Sequence, residues 1–189
     1  MGAFALLVAA RPADAGGRRM KTVLIVHGSY AGSTAEMADS MKAALDRAGY
    51  SAFTVPASGL EIDLAPYDLV IIGSAIHGGR VHEKVTAFLR ANRTALAKKP
   101  LAVFAACATI TSSMASRRRV AKAYPDKVAS GLPVVSRAVF AGKSSATGWF
   151  GDLMGKLILG ITPGDYRDWE KVEAWAVSLP DLARQAEVK

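Results

Sequence analysis

The segment at residues 29–34, Ser-Tyr-Ala-Gly-Ser-Thr, restricts the fold of this chain more than any other. It follows an apolar run at 22–26 that predicts a strand, and it opens a stretch at 34–48 whose apolar residues recur at helical spacing. Where a strand turns into a helix through glycine and small hydroxyl residues, free backbone N–H groups and the helix dipole favour an anion. The segment therefore predicts a cradle for a nucleotide or flavin phosphate, formed by Ser29, Tyr30, Ala31, Gly32, Ser33 and Thr34.

The spacing of this segment excludes two common phosphate loops. A Walker A loop needs a lysine after its last glycine, and none follows Gly32. A dinucleotide fingerprint needs G-x-G-x-x-G, which Gly28 and Gly32 do not fit. The alternative to phosphate binding is a turn that only caps the helix through Ser33 or Thr34. The position after the first strand favours phosphate binding, because a doubly wound fold places its phosphate site there.

Strand and helix signals alternate along the rest of the chain. Apolar or β-branched runs at 51–55, 68–73, 100–107 and 134–141 predict four more strands. Helical spacing predicts a helix at 81–97 and a last helix that Asp168 caps. Pro180 is expected to bend or end this last helix. Its predicted inward residues are Trp169, Val172, Trp175 and Leu179. This alternation predicts an α/β three-layer sandwich around a five-stranded parallel sheet in the order 2-1-3-4-5.

The chain length of 189 residues suits one domain. We expect residues 1–19 to be a flexible or misannotated N-terminal extension, 20–189 to be a single domain, and about 142–167 to be an insertion before the last helix. The apolar stretch at 4–10 has no preceding Lys or Arg and is short for a signal sequence. Because no apolar run is long enough to span a bilayer, we expect a cytoplasmic protein, soluble or peripheral on the inner membrane.

Two further segments are predicted to meet the phosphate cradle at the carboxyl edge of the sheet. One is a Gly/His loop at 74–80 after the third strand, and the other is a small polar loop at 108–113 after the fourth. Small residues there would let the backbone lie against a flat ring, and the two glycines of the first loop permit positive φ. His77 is either a proton relay near neutral pH or an ordinary surface histidine. The candidate ring-binding residues are Ala75, Ile76, His77, Gly78, Gly79, Ala108, Thr109 and Ile110.

The charge of the chain is concentrated in its middle. Residues 80–143 hold thirteen Lys and Arg against two acids, a net +11, so the rest sums to −3 of the overall +8. The densest cluster is Arg117, Arg118, Arg119 and Lys122. Such a cluster could meet an anionic membrane surface, a carboxylate-bearing substrate or nucleic acid, and the alternative is a solvated basic face.

An apolar stretch at 149–159, which starts with Trp149 and Phe150, lies within the expected insertion. Its apolar residues recur at helical spacing, so it either covers the core or lies in a lipid interface. The single cysteine, Cys107, excludes an internal disulfide and is expected to be buried. Three histidines and no acidic cluster predict that there is no metal site.

Three blocks together resemble the flavodoxin-like, FMN-binding family. They are the GSYAGSTAE opening, the DLVIIGSAIHGG block of the third strand and the DWEKVEAWA start of the last helix. Within that family the likeness is closest to flavodoxin-domain proteins of the menaquinone-dependent protoporphyrinogen IX dehydrogenase kind. The basic segment after the fourth strand, the insertion and the Asp168-Trp169-Glu170 helix start carry this finer likeness.

The resemblance implies an FMN flavoprotein of heme biosynthesis that dehydrogenates protoporphyrinogen IX and passes the electrons to a membrane quinone. The basic cluster would then bind the propionates or anionic lipid headgroups, and His77 or water would accept protons. One departure is that the second and third loops carry no Trp or Tyr for ring stacking, so His77, Ile76 or Tyr30 would have to replace them.

Other functions remain open from the sequence. They are an NAD(P)H:quinone reductase, a one-electron flavodoxin-type carrier and, outside flavoproteins, a basic nucleic-acid-binding domain. Flavodoxin carriers are typically acidic, which argues against the second, and no nucleic-acid recognition motif supports the third, so we expect no nucleic-acid partner. Both a monomer and a homo-oligomer are compatible with the sequence.

Overall fold

The computed structural model describes residues 22–144, 160, 162 and 164–187. The strands are β1 (Thr22–Gly28), β2 (Ser51–Pro56), β3 (Leu69–His77), β4 (Arg80–Val81), β5 (Leu101–Ala106), β6 (Ser136–Phe140), β7 (Lys143–Ser144) and β8 (Gly164–Asp165). The helices are α1 (Ser33–Arg47), α2 (Glu83–Ala91), α3 (Arg93–Leu96), α4 (Ala115–Lys122), α5 (Tyr124–Ala129) and α6 (Trp169–Glu187), with a 3-10 turn at Ala108–Thr111.

Five parallel strands form the main sheet in the order β2-β1-β3-β5-β6. This is the predicted order, which is confirmed; β4 is an additional short strand that pairs antiparallel with the end of β3. In the centre of the sheet Val26 lies beside Ile72, which in turn lies beside Val103. The central strands are almost continuously apolar because helices cover both faces of the sheet.

The core divides between the two faces of the sheet. Alternate side chains of β1 point to opposite faces, so Leu24 packs on the side of α2 with Phe88, while Ile25 packs on the side of α1 and α6 with Met37 and Leu179. Each of these five side chains is at most 1% exposed. This two-sided packing positions the carboxyl ends of β1, β3 and β5 side by side at one edge.

The segment at 74–80 is not the loop that the sequence predicted. β3 continues through His77, and a two-residue turn at Gly78 and Gly79 leads back into β4, with His77 opposite Arg80. The two glycines have φ of +55° and +76°, as a tight hairpin turn of the primed type requires. Val81, predicted to be helical, therefore lies in a strand.

The helix predicted at 81–97 is also divided, into α2 and α3, at Asn92. The Asn92 side-chain amide donates to the carbonyls of Phe88 and Leu60 and accepts from the Ile62 N–H, so this buried residue joins the helix end to the 60–62 loop. His82 caps the start of α2, because its Nδ1 accepts a hydrogen bond from the Lys84 N–H at 3.2 Å.

The last helix follows the prediction at its start and departs from it later. Asp168 caps it by accepting from the Lys171 N–H at 3.1 Å, and Val172 and Leu179 are fully buried. Trp169, expected to face inward, is 38% exposed, and Pro180 lies inside a helix that continues to Glu187. None of the helices in the described ranges is both long and apolar enough to cross a membrane.

The ends of the expected insertion form a small antiparallel ladder between β7 and β8. Lys143 pairs with Asp165, which brings the two ends of the insertion together beside the first helix. The predictions for Trp149 and Phe150, and for the extension at 1–19, concern residues that lie outside the described ones.

Candidate cofactor site

The β1–α1 connection turns sharply at one glycine. Gly32 is the residue that precedes α1, and its φ of +85° and ψ of −25° lie in the left-handed region that favours glycine. Gly32 has no side chain to cap α1, so the alternative in which Ser33 or Thr34 simply caps the helix is not what the structure shows. The Ser29 hydroxyl accepts a hydrogen bond from the Thr34 N–H at 3.3 Å and closes the turn.

Several donors in this turn have no partner among the residues that the structure describes. No hydrogen bond among the described residues involves the main-chain N–H groups of Tyr30, Ala31 or Gly32. The Thr34 side chain is fully buried, and its Oγ1 has no partner within the described chain. Buried polar atoms are nearly always paired, so an unpaired hydroxyl beside free amides requires a missing partner. A phosphate monoester has the acceptor oxygens that this set of donors needs.

The turn lies where the strand order reverses. β1 has β2 on one side and β3 on the other, so the crossovers that leave this point run to opposite sides of the sheet. Ligands of open α/β sheets bind at the carboxyl edge at such a switch point. The position of the turn and its donors therefore indicate the same site.

Tyr30 brings the first and second predicted segments together. Its ring centroid is 4.3 Å from that of His82 and 5.7 Å from that of His77, at interplanar angles of 38° and 60°. Tyr30 is 57% exposed, and His77 is also exposed. Ala75 and Ile76 are half-buried in β3. An aromatic surface therefore borders the cradle, and the role of His77 as a proton relay stays a prediction.

The third predicted segment begins as a single 3-10 turn. The Thr111 hydroxyl donates to the Ala108 carbonyl at 2.7 Å, and Thr109 and Ile110 are half-buried. The Ser113 N–H donates to the Gly160 carbonyl at 3.0 Å, which attaches the end of the insertion to this segment. The segment follows β5, next to β3, so all three predicted segments lie at one edge of the sheet.

The basic cluster lies on α4, directly after the third segment. Arg117, Arg119 and Lys122 are exposed. Arg118 differs from them because one of its guanidinium nitrogens donates to the Ser112 and Ser113 carbonyls, at 2.6 and 2.8 Å. This residue therefore fastens α4 to the third segment, which the sequence analysis did not predict.

Burial shifts two titratable groups near this edge. Desolvation lowers the pKa of His27, and the charge of Asp39 opposes this with a smaller upward effect on the same pKa. The Nδ1 atom of His27 has no partner within the described chain. Cys107 is 3% exposed, as expected, and burial raises the pKa of its thiol to about 11. The Cys107 thiol is therefore not in the thiolate form that a nucleophile or a metal ligand requires.

Sequence reasoning missed the contact between Arg167 and Glu36, which joins the end of the insertion to the first turn of α1. It also missed the β3–β4 hairpin, although two glycines between β-prone residues are a signal for one. A surface pocket of about 450 Å³ lies between the 61–65 segment and the α2–α3 end, and it contains none of the predicted site residues.

The fold is that of a doubly wound α/β protein, and its first β–α turn presents donors that fit a phosphate group. The family described as "Flavodoxin domain" matches residues 24–165, three quarters of the chain. The chain therefore belongs to the flavodoxin domain family. FMN is the cofactor of these domains, and the unpaired donors of the β1–α1 turn fit its phosphate.

Solved structures share this fold at low sequence identity. Oxidised flavodoxin 1 from Bacillus cereus is 19% identical, with a TM-score of 0.56 over 85% of this chain and 98% of that one. Rubredoxin oxygen:oxidoreductase from Desulfovibrio gigas is 13% identical, with a TM-score of 0.58 over 87% of this chain but only 36% of that one. The flavodiiron protein of Giardia intestinalis is 15% identical, with a TM-score of 0.53 over 88% and 37% of the two chains. A comparison with curated proteins found no match.

Proposed function

We propose that this protein transfers electrons between redox partners through FMN bound at the β1–α1 turn. The observation that carries the proposal is the fully buried Thr34 hydroxyl, which has no partner within the described chain and lies beside unused main-chain N–H groups. FMN supplies the redox chemistry when bound, and the protein supplies binding, orientation and electrostatics. Family membership supports redox electron transfer as the general activity.

The residues around the cradle would position the flavin ring. Tyr30 and His77 form an exposed aromatic surface beside the cradle, and the Gly78-Gly79 turn exposes backbone next to it. The 3-10 turn after β5 would border the other side. None of the buried polar side chains in the described ranges is an Asp or Glu, which fits an electron carrier or a quinone reductase that takes electrons from NAD(P)H.

A second candidate is dehydrogenation of protoporphyrinogen IX with a membrane quinone as acceptor. The observation that favours it is the surface of α4, which carries the exposed cations Arg117, Arg119 and Lys122 and the 52%-exposed side chain of Val120. Met114, just before the helix, is 37% exposed. Cations beside exposed apolar side chains suit both an anionic lipid surface and an apolar substrate with carboxylates.

Anaerobic reduction of the FMN-loaded protein separates the candidates. Rapid bleaching of the flavin absorption by NADH or NADPH, with reoxidation by a menaquinone analogue, would support a quinone reductase. Bleaching by protoporphyrinogen IX would support the second candidate. Reduction only by a reductase partner, in two resolved one-electron steps of a potentiometric titration, would support a carrier. A protein that retains no FMN after reconstitution would refute all three.

Binding to vesicles tests the α4 surface separately. Replacing Arg117, Arg119 and Lys122 by Gln should abolish sedimentation with vesicles that contain anionic lipid. The matched control replaces three exposed cations elsewhere, Lys84, Arg90 and Lys98, by Gln and should leave sedimentation unchanged. Equal loss in both variants would show that only the overall charge matters.

A further inference from the structure

Arg167 is covered by two carboxylates and an aromatic ring that are themselves partly exposed. Its side chain is only 7% exposed. Its Nε donates to Asp165 at 2.8 Å, one of its terminal nitrogens donates to Oε2 of Glu36, and its guanidinium lies 4.5 Å from the centre of the Trp169 ring. The hydrogen bonds from Arg167 lower the pKa of Asp165 to about 2. These contacts fix the guanidinium in place beside α1.

Glu36, the acidic partner of Arg167, borders the phosphate cradle. It lies in the first turn of α1, and its Oε1 is 3.6 Å from the position that a β-carbon on Gly32 would occupy. The Gly32 N–H is one of the cradle donors without a partner among the described residues. An unpaired carboxylate here would repel a phosphate and compete with it for the same donors.

The sequence around Glu36 indicates how its carboxylate could compete for these donors. Ser33-x-x-Glu36 has the spacing of a capping box, in which the glutamate reaches back to a main-chain N–H at the helix start. In the structure Gly32 rather than Ser33 precedes α1, the described residues show no such bond, and Oε2 of Glu36 is engaged by Arg167. The donors that Glu36 could occupy are therefore left for a ligand.

We propose that Arg167 is a positioning residue for the FMN phosphate: it pairs with Glu36, neutralises that carboxylate and holds it away from the donors of the β1–α1 turn. The inference rests on FMN binding at this turn. It assigns a cofactor-binding role to the end of the insertion, since Arg167 follows β8 directly. The insertion and the phosphate cradle are then coupled through one ion pair.

The test compares FMN with riboflavin, which has the same ring and no phosphate. Dissociation constants are measured by fluorescence titration for the wild type, Arg167→Met, Glu36→Gln and the double variant. Arg167→Met should weaken FMN binding about 10-fold, the effect of losing one favourable charge contact. Riboflavin binding should not change, and the FMN effect should shrink as salt is raised.

The double variant gives the decisive result. Removing the Glu36 charge in the Arg167→Met background should restore most of the FMN affinity, because no carboxylate then competes with the phosphate. Equal weakening of FMN and riboflavin, or no rescue by Glu36→Gln, would overturn the proposal and leave Arg167 a structural residue. Arg167→Lys, which keeps the charge, should bind FMN more tightly than Arg167→Met, and equal affinities would also count against the proposal. A wild type that binds neither ligand would instead refute the cofactor assignment itself.

Discussion

The Thr34 N–H donates to the Ser29 hydroxyl, while the Thr34 hydroxyl itself is fully buried and has no partner in the part of the chain that the structure describes. The main-chain N–H of Thr34 thus closes the β1–α1 turn, while its side-chain hydroxyl is left to pair with a ligand. A buried hydroxyl without a partner destabilises the protein that contains it, unless a ligand supplies the missing acceptor. Removal of this hydroxyl should therefore lower the affinity for FMN and raise the free energy of unfolding of the FMN-free protein.

Thr34→Val should weaken FMN binding without destabilising the cofactor-free protein. Valine has nearly the same shape but no hydroxyl, so one hydrogen bond to a charged group is lost, which corresponds to about 1.5–3 kcal/mol and roughly 10- to 150-fold in affinity. The free energy of unfolding without FMN should stay equal or rise. Urea unfolding and fluorescence titration measure the two quantities, and Thr86→Val, on the exposed side of α2, is the control. A loss of stability equal to the loss of affinity would contradict this account.

Gly32→Ala should lose both stability and FMN affinity, whereas Gly49→Ala should lose stability alone. Both glycines have a φ of +85°, so an alanine at either position adopts a left-handed conformation that costs about 1–2 kcal/mol. Gly49 is the matched control, because a β-carbon there would have nothing within 4 Å. Gly32→Asp, which adds a negative charge, should weaken FMN binding further. Unchanged FMN retention in Gly32→Asp would show that the cradle is not the phosphate site.

Gly73→Ala should destabilise the fold through a direct clash in the centre of the sheet. A β-carbon at this position would come 2.1 Å from Cζ of the Phe104 ring, which is fully buried on the neighbouring strand. Overpacking of this kind costs about 1–3 kcal/mol or more, which thermal or urea unfolding would measure. Gly59→Ala is the control, because its nearest neighbour would be at 3.5 Å. In the Phe104→Leu background the cost of Gly73→Ala should shrink, and a constant cost would show that the clash is not its cause.

Stability should fall in mild acid because of His27. Burial lowers its pKa in the folded protein below the ordinary value of 6.5, so the unfolded chain takes up the proton first as the pH falls. The stability is fully present above about pH 6.5 and decreases below it, until the folded protein also binds the proton. Unfolding curves from about pH 7.5 to 5.5 should show a smaller decrease in His27→Gln than in the wild type. Parallel curves for the two proteins would assign the effect to other groups.

Much of the fold could be predicted from local patterns. The continuous apolar runs of β1 and β5 predict strands covered on both faces, and their alternation with helices predicts the parallel order that the structure has. The β1–α1 turn was predicted as a cradle from small residues between a strand and a helix, and the structure adds the unpaired Thr34 hydroxyl. These features depend on neighbours along the chain, so the sequence contains them directly.

Other features were predicted wrongly, because a local pattern suits more than one structure. The Gly/His segment suited a loop, but pairing with Arg80 and Val81 extends β3 through His77 and makes a hairpin. The helical spacing of the last helix suited an inward Trp169, but that ring lies beside the Arg167 guanidinium and is 38% exposed. In both cases a contact outside the pattern decided the outcome.

The amino-acid sequence by itself determined the sheet, its strand order and the position of the phosphate turn, because hydrophobic period and turn chemistry act over a few residues. Only the tertiary structure decided which side chains surround that turn. Tyr30 meets His77 and His82 across a hairpin, and Arg167 meets Glu36 across 131 residues of chain. Such contacts depend on how the finished layers pack against each other, which no local pattern encodes.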